Sequence, residues 1–153
     1  MADGSLLMAG ELILGQATSG PLLRLTEPVS FWGGVDEKTG QIIDQHHPQY
    51  KVCLAGTALL MGAARGSSSS SSTLLECVRL GTAPAMLLLT ERDTILPVGV
   101  AAAWEIYGRG PSVVLLPGPL DAQDGERIRL DQQGRIYKGP GNPAGRGRFT
   151  MLR

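Results

Sequence analysis

The chain of 153 residues carries 14 basic and 14 acidic side chains, so its formal net charge is zero and it lacks the basic surface of non-specific nucleic-acid binders. Its hydrophobic content of 42% is enough for one domain with a core, and we interpret residues 1–153 as a single domain. No segment has the length and apolarity to cross a bilayer and no N-terminal signal pattern is recognised, so we expect a cytosolic protein.

The first third of the chain predicts short strands joined by turns. We expect residues 1–10 to be loosely held, strands over 11–17, 21–25 and 41–44, and turns over 18–21 and 37–40. Between them the aromatic pair Phe31 and Trp32 runs directly into Gly33 and Gly34. Because glycine adopts dihedrals that are closed to other residues, the two rings are set against a backbone of unusual geometry.

The middle of the chain alternates between apolar runs and segments with helical spacing. Strands are predicted over residues 52–61, 85–90 and 112–116, a short helix over 72–80 closed by Gly81, and a second helix over 98–107 opened by Pro97. Val100, Ala101, Trp104 and Tyr107 of the second helix would face the core. This order of strands and helices predicts parallel strands joined by right-handed crossovers.

The last part of the chain differs in pattern from the middle. Residues 126–131 and 135–138 alternate polar and apolar side chains, which predicts a β-hairpin with one solvated face. Residues 139–153 are rich in glycine and proline, with basic but no acidic side chains. We interpret this tail either as a flexible end or as an arm that docks a partner.

Six consecutive serines, residues 67–72, lie between an apolar strand and a helix. The N-terminus of a helix presents unpaired N–H groups and the positive end of the helix dipole, both of which attract anions. Serine hydroxyls at this position can cap the helix, bind an oxyanion or supply a reactive oxygen. A flexible polar linker is the alternative interpretation, because serine-rich runs are commonly linkers.

Two other residue pairs invite a functional interpretation. His46 and His47 are adjacent, so in extended chain they point to opposite faces, and no cysteine or acidic set at zinc spacing accompanies them. We therefore expect a loop-anchoring or substrate-facing histidine rather than a metal site. Cys53 and Cys77 are too few for a disulfide framework, and their apolar surroundings predict buried, inert thiols.

Several short motifs occur together in a fixed order. They are PVSFWGGVD at residues 28–36, TG at 39–40, ID at 43–44, HP at 47–48, RGS at 65–67 and GTAPA at 81–85. With this combination the chain resembles, over about residues 5–138, the small swivelling subunit of the aconitase X family of hydro-lyases. The resemblance implies an α/β fold of the β/β/α swivel type, in which β-hairpins flank a parallel αβ core within a barrel-like sheet.

The resemblance also implies roles for residues of the serine run. The family's loop pattern is matched at Arg65, Gly66, Ser67 and Ser71, and serine or alanine replaces its glycines at Ala64 and Ser70. By resemblance, Ser67 is the base that removes a proton from a substrate carbon, and Arg65, Gly66, Ser68 and Ser71 bind the substrate. An iron–sulfur cluster on a separate large subunit would act as Lewis acid on the leaving hydroxyl, with no metal on this chain.

The chain is then half of an active site, because two scattered cysteines cannot hold a cluster that takes about three or four thiolates. The resemblance implies a dehydratase subunit that is inactive without its large subunit. Relatives act on cis-3-hydroxy-L-proline in bacteria or on mevalonate 5-phosphate in archaea, and the Phe31-Trp32 and His46-His47 pairs favour the bacterial reaction, which yields 1-pyrroline-2-carboxylate.

Other functions remain open at this point. One is the small subunit of a mevalonate 5-phosphate dehydratase, and another is a non-catalytic or regulatory module whose serine run binds a carboxylate or a phosphate. A phosphotransfer domain would require a reactive histidine, and His46 and His47 lie far from the serine run in sequence.

Overall fold

The computed structural model describes residues 4–139, which form one eight-stranded sheet and three helical elements. The strands are β1 (Ser5–Ala9), β2 (Glu11–Leu14), β3 (Thr18–Arg24), β4 (Ala58–Met61), β5 (Met86–Leu89), β6 (Ser112–Leu115), β7 (Arg127–Leu130) and β8 (Arg135–Lys138). The helical elements are α1 (Phe31–Gly34), α2 (Ser69–Leu80) and α3 (Leu96–Tyr107). None of the helices within residues 4–139 has the length and apolarity needed to cross a membrane.

The sheet curves round until its two edges belong to one segment of chain. The strand order is β1-β8-β7-β3-β4-β5-β6-β2, and only Gly10 separates β1 from β2 in sequence. The N–H of Gly10 donates to the carbonyl oxygen of Gly134 at 2.9 Å. A Cβ at Gly10 would lie 2.5 Å from Cγ1 of Val114, so the seam requires glycine. This is the barrel-like sheet that the family resemblance implied.

The predicted parallel core is confirmed. β3, β4, β5 and β6 pair in parallel, and α2 and α3 connect β4 to β5 and β5 to β6. Every residue of β4 and β5 is buried, because these strands are covered on both faces, which explains their continuous apolar sequences. Leu59 and Leu87 pack with the helices, whereas Leu60 and Leu88 pack with the hairpin strands on the other face.

The predicted C-terminal hairpin is also confirmed, as β7 and β8. The strand β3 joins this hairpin to the parallel core, pairing antiparallel with β7 through residues 18–21 and parallel with β4 through residues 22–24. The turn predicted over residues 18–21 is therefore wrong. Gly20 lets the strand pass close to Gly56, since a Cβ there would lie 2.4 Å from the Gly56 carbonyl oxygen.

Other boundaries differ from the predictions. Residues 5–9, expected to be loosely held, form β1 because β8 offers them an unpaired edge. The strand predicted over 52–61 is confined to Ala58–Met61, and that over 41–44 is reduced to isolated bridges at Gln41 and Ile42. The first long helix begins at Ser69 rather than at residue 72. The predicted tail of residues 139–153 lies outside the described residues beyond Gly139.

The predicted core face of α3 is partly wrong. Val100 is fully buried as expected, but Ala101 is exposed, and Ala103 is buried in its place. Trp104 and Tyr107 are half-buried. The helix is apolar on nearly every side, so its periodicity could not show which face packs against the sheet.

Candidate active site

The serine run begins on a loop at the carboxyl edge of the parallel strands and continues into α2. Residues 62–68, called the serine loop below, leave β4 and enter α2, and residues 65–68 are exposed. In parallel α/β sheets, ligands commonly bind outside this edge. The strand–turn–helix interpretation is confirmed over the linker, because four of the six serines, residues 69–72, belong to α2.

Ser67 places its hydroxyl at the beginning of α2. Its Oγ accepts a hydrogen bond from the backbone N–H of Ser69 at 3.2 Å, and its carbonyl oxygen accepts one from the N–H of Ser70 at 3.0 Å. The first turn of this 12-residue helix contains no acidic side chain. The positive end of the helix dipole therefore acts on the Ser67 oxygen without cancellation from an acidic side chain of that turn, which favours negative charge on the oxygen.

Arg65 and Gly66 precede Ser67 on the exposed part of the loop. Within residues 4–139, the Arg65 guanidinium has no hydrogen-bond or ion-pair partner, so its five donors are available to a carboxylate or phosphate. Gly66 has a φ of 103°, and a Cβ there would lie 2.7 Å from Oγ of Ser30. The glycine thus allows the loop to approach Ser30 closely, a contact that the sequence did not predict.

The other two residues predicted to bind substrate, Ser68 and Ser71, lie in different surroundings. Ser68 is exposed and immediately precedes α2 without a capping bond from its own side chain. Ser71 turns towards α3, where its hydroxyl donates to the carbonyl oxygen of Ile95. The structure thus groups Arg65, Gly66, Ser67 and Ser68 in one exposed stretch and gives Ser71 a contact between two helices. A role for Ser71 in substrate binding stays a prediction.

Asp93, in the segment between β5 and α3, connects the serine loop to the start of α3. One of its carboxylate oxygens accepts the N–H of Ala64 at 3.1 Å, and the other accepts the N–H of Ile95 at 2.8 Å. One side chain therefore fixes both the serine loop and the start of α3. An aspartate that accepts the backbone N–H two residues further along the chain forms a recognisable turn, but its bond to Ala64 depends on the tertiary fold.

The motif at residues 28–36 packs beside the serine loop. Phe31 is fully buried in the core, whereas Trp32 is exposed. The Trp32 N–H donates to Oγ of the buried Ser70 at 3.4 Å, and Ser30 donates to the Trp32 carbonyl oxygen at 3.0 Å. Gly33 has a φ of 79°, in agreement with the unusual backbone predicted after the aromatic pair.

The histidines do not form part of this site. His47 is buried and anchors a loop, because its Nδ1 accepts the N–H of Gln49 at 3.0 Å and its Nε2 lies 3.0 Å from the carbonyl oxygen of Glu27. Since Nδ1 accepts, Nε2 carries the proton and donates. His46 is exposed, and its N–H donates to Oδ1 of Asp44. The loop-anchoring interpretation is thus confirmed for His47.

The two cysteines lie in different environments. Cys77 is buried in α2, and burial raises the pKa of its thiol to about 11. Cys53 is exposed, so the prediction of a buried thiol is wrong there; it lies on an isolated bridge opposite Gln41 rather than within a buried strand. Across residues 4–139, no group of three or more His, Cys, Asp or Glu side chains could hold a metal ion.

Comparison with known proteins decides the family. The family model of the aconitase X swivel domain matches residues 7–138. This chain belongs to the aconitase X swivel-domain family. The swivel domain is also similar to the solved structure of aconitase X from Thermococcus kodakaraensis in its holo form, with a TM-score of 0.73 and 25% identity over 88% of this chain and 98% of that chain.

Curated relatives carry the swivel domain in two arrangements. The cis-3-hydroxy-L-proline dehydratase of Pseudomonas aeruginosa is 41% identical over 121 residues, which are 79% of this chain but 21% of that protein. The phosphomevalonate dehydratase small subunit of Methanothermobacter thermautotrophicus is 38% identical over 118 residues, 76% of this chain and 88% of that protein. The chain therefore spans about a fifth of the first relative and nearly all of the second.

Proposed function

We propose that this swivel domain is the small subunit of an aconitase X-type dehydratase and contributes Ser67 as the catalytic base. The observation that carries the proposal is the exposed Ser67 hydroxyl, which lies at the positive end of α2 two residues after Arg65, whose guanidinium has no partner among residues 4–139. A large subunit would supply the rest of the active site. The cytosolic location expected from the sequence belongs to this proposal as well.

In the proposed reaction, Ser67 accepts the proton from a substrate carbon. The electron pair of the broken C–H bond forms the new double bond, the C–O bond breaks with hydroxide as the leaving group, and Ser67 releases its proton to solvent as the hydroxide is protonated to water. A serine acts as base only if its alkoxide is stabilised, and the Ser69 N–H and the α2 dipole supply that stabilisation at the Ser67 oxygen. Arg65 binds the substrate carboxylate in both ground and transition states.

The cysteines of this chain do not fit an iron–sulfur cluster. Such a cluster takes about three or four thiolates. Cys77 is buried within α2 with a pKa raised to about 11, and Cys53 is exposed on a different segment. We therefore place the cluster on the large subunit, where it would supply a Lewis acid for the leaving hydroxyl.

The proposed substrate is cis-3-hydroxy-L-proline, which dehydration converts to 1-pyrroline-2-carboxylate. Support comes from the 41% identity to the Pseudomonas aeruginosa dehydratase named for that substrate. Phosphomevalonate is the second candidate, because the relative from Methanothermobacter thermautotrophicus matches over 88% of its length and is named as a separate small subunit. A third candidate, a non-catalytic anion-binding module, would use the same Arg65 and α2 terminus without a partner.

The test is to co-express the chain with its large subunit under anaerobic conditions and to assay both substrates. Dehydration of cis-3-hydroxy-L-proline alone is the expected result. Turnover of mevalonate 5-phosphate alone would support the second candidate. The binding module would replace the enzymatic proposal if two results were obtained together. The complex would turn over neither substrate, and the isolated chain would bind a carboxylate or phosphate in a way that Arg65→Ala abolishes.

A further inference from the structure

Two apolar side chains are exposed beside the beginning of α2. Trp32 is 64% exposed and Val98 is 62% exposed. The Trp32 N–H donates to Oγ of Ser70, whereas the residue after Val98, Gly99, packs so tightly that a Cβ there would lie 2.5 Å from the Ser71 carbonyl oxygen. Trp32 is thus held at Ser70, and Val98 adjoins the residue that packs on Ser71, so both residues lie next to the first turn of α2.

The fold does not need either side chain for its core. The neighbour of Trp32, Phe31, is fully buried, and so is Val100, which lies two residues after Val98. Trp32 and Val98 therefore leave apolar surface in water at the first turn of α2, which follows the exposed Ser67 and Ser68 in the chain. Tryptophan is among the residues that contribute most to interface affinity, so an exposed tryptophan at this turn is a candidate docking contact.

We propose that Trp32 and Val98, called the apolar rim below, are the docking contacts of this chain for the large subunit of the dehydratase. The inference rests on the proposed function, which makes a second polypeptide complete the site around Ser67. The exposed residues 65–68 lead directly into the first turn of α2, and both rim residues lie next to that turn, so a chain that covers these exposed residues can also contact the rim.

The comparison with Pseudomonas aeruginosa supports this choice of occupant. The matched part is 21% of that dehydratase, so about four-fifths of that polypeptide is available to cover a swivel domain within the same chain. Under the proposed function, a separate large subunit would take that position for this chain. Its docking surface would be apolar and would carry a pocket for an indole ring opposite Trp32.

The helix α3 supplies a matched control. Ile106 is 61% exposed and lies eight residues beyond Val98 on the same helix, about 12 Å away along its axis. It is an aliphatic side chain of similar exposure, but it lies about two turns beyond Val98. Glutamine at either position adds no charge to the helix and is a good helix former, so substitutions there change surface polarity with little effect on folding.

The experiment measures the Kd for the large subunit, without substrate, for the wild-type chain and for Trp32→Ala, Val98→Gln and Ile106→Gln. The expected Kd rises about tenfold or more for Trp32→Ala and about fivefold for Val98→Gln, and changes less than about twofold for Ile106→Gln. Circular dichroism and thermal unfolding of the isolated chains check that each variant is folded. At saturating large subunit, kcat of both rim variants returns to the wild-type value.

Several results would overturn the inference. An equal rise in the Kd for the large subunit in Val98→Gln and Ile106→Gln would assign docking to the whole face of α3. An unchanged Kd for both rim variants would show that the rim is not part of the interface. A homodimer of the isolated chain that Trp32→Ala dissociates would assign the rim to a second copy. The proposed reaction fails separately, because a complex that binds through the rim but dehydrates neither substrate refutes only the enzymatic function.

Discussion

The Ser67 Oγ accepts a hydrogen bond from the backbone N–H of Ser69 at 3.2 Å, so the proposed base is also a helix-terminal acceptor. The two roles have different energetic consequences. Loss of a terminal acceptor costs about 1 kcal/mol of the free energy of unfolding, which a folded protein tolerates. Loss of a group that acts in the transition state lowers kcat by orders of magnitude. Stability and turnover therefore separate the two roles experimentally.

Arg65→Ala is expected to raise KM for the substrate by one to two orders of magnitude, with kcat changed less than about threefold. The reason is that, in the proposed reaction, the Arg65 guanidinium binds the substrate carboxylate equally before and during the reaction. Arg65→Lys should recover part of the affinity, because lysine keeps the charge but loses the bidentate geometry. Arg92→Ala, which removes an exposed cation paired with Glu11 at 3.4 Å, is the matched control. A fall in kcat without a rise in KM would contradict this role.

Asp93→Ala is expected to lower the free energy of unfolding by about 1–3 kcal/mol, because the N–H groups of Ala64 and Ile95 lose their acceptor. The reconstituted enzyme should also lose kcat, since the serine loop is then held less firmly. Asp93→Asn keeps one acceptor oxygen and should be intermediate in both measurements. Asp124→Ala, which removes an exposed bond to the Arg24 N–H, is the control and should leave kcat unchanged. A stable Asp93→Ala variant with wild-type kcat would show that the two hydrogen bonds to the Asp93 carboxylate are not needed.

Gly66→Ala is expected to cost about 1–3 kcal/mol of unfolding free energy, because alanine is strained at a φ of 103° and its Cβ would lie 2.7 Å from Oγ of Ser30. The substitution Ser30→Ala removes that oxygen. The double variant should therefore be more stable than the sum of the single effects indicates, while the strain from the positive φ persists. Chemical denaturation of the four proteins measures the coupling, and strict additivity would show that the loop moves away from Ser30.

The thiol of Cys77 is expected to resist alkylation at pH 8, whereas Cys53 reacts. Burial raises the pKa of Cys77 from 9.0 to about 11, so the folded state keeps a proton that the unfolded state loses. The stabilisation is thus complete below pH 9 and is lost as the pH rises to about 11. Cys77→Ala should flatten the decline in unfolding free energy over that range. Cys53→Ser is the control, and an unchanged decline in Cys77→Ala would contradict the assignment.

The sequence could predict the parallel core because its signals are local. The runs that include Leu59 and Leu87 are continuous and apolar, as strands covered on both faces require. The start of β1 at Ser5 could not be predicted, since those residues form a strand only because β8 lies beside them. The exposure of Ala101 was equally hidden, because a helix that is apolar on most sides does not show which face packs inward.

The candidate site also has features that the sequence could predict and features that it could not. The position of Ser67 at a strand–helix junction follows from neighbouring residues, and the structure places it there. The contact of Gly66 with Ser30 and the bond from Ala64 to Asp93 join segments far apart in the chain. Contacts of this kind depend on the closed sheet and on the packing of α2 against α3, which no local pattern encodes.

The central claim is that Ser67 is the base of a shared active site, and turnover by the reconstituted Ser67→Ala enzyme tests it most directly. The complex should assemble with wild-type affinity, while kcat falls by about three orders of magnitude or more. Ser69→Ala and Ser72→Ala, measured in parallel, should keep most activity and cost at most about 1 kcal/mol of stability. If Ser67→Ala assembles and turns over at close to the wild-type rate, Ser67 is not the base, and the serine loop binds an anion while another residue removes the proton.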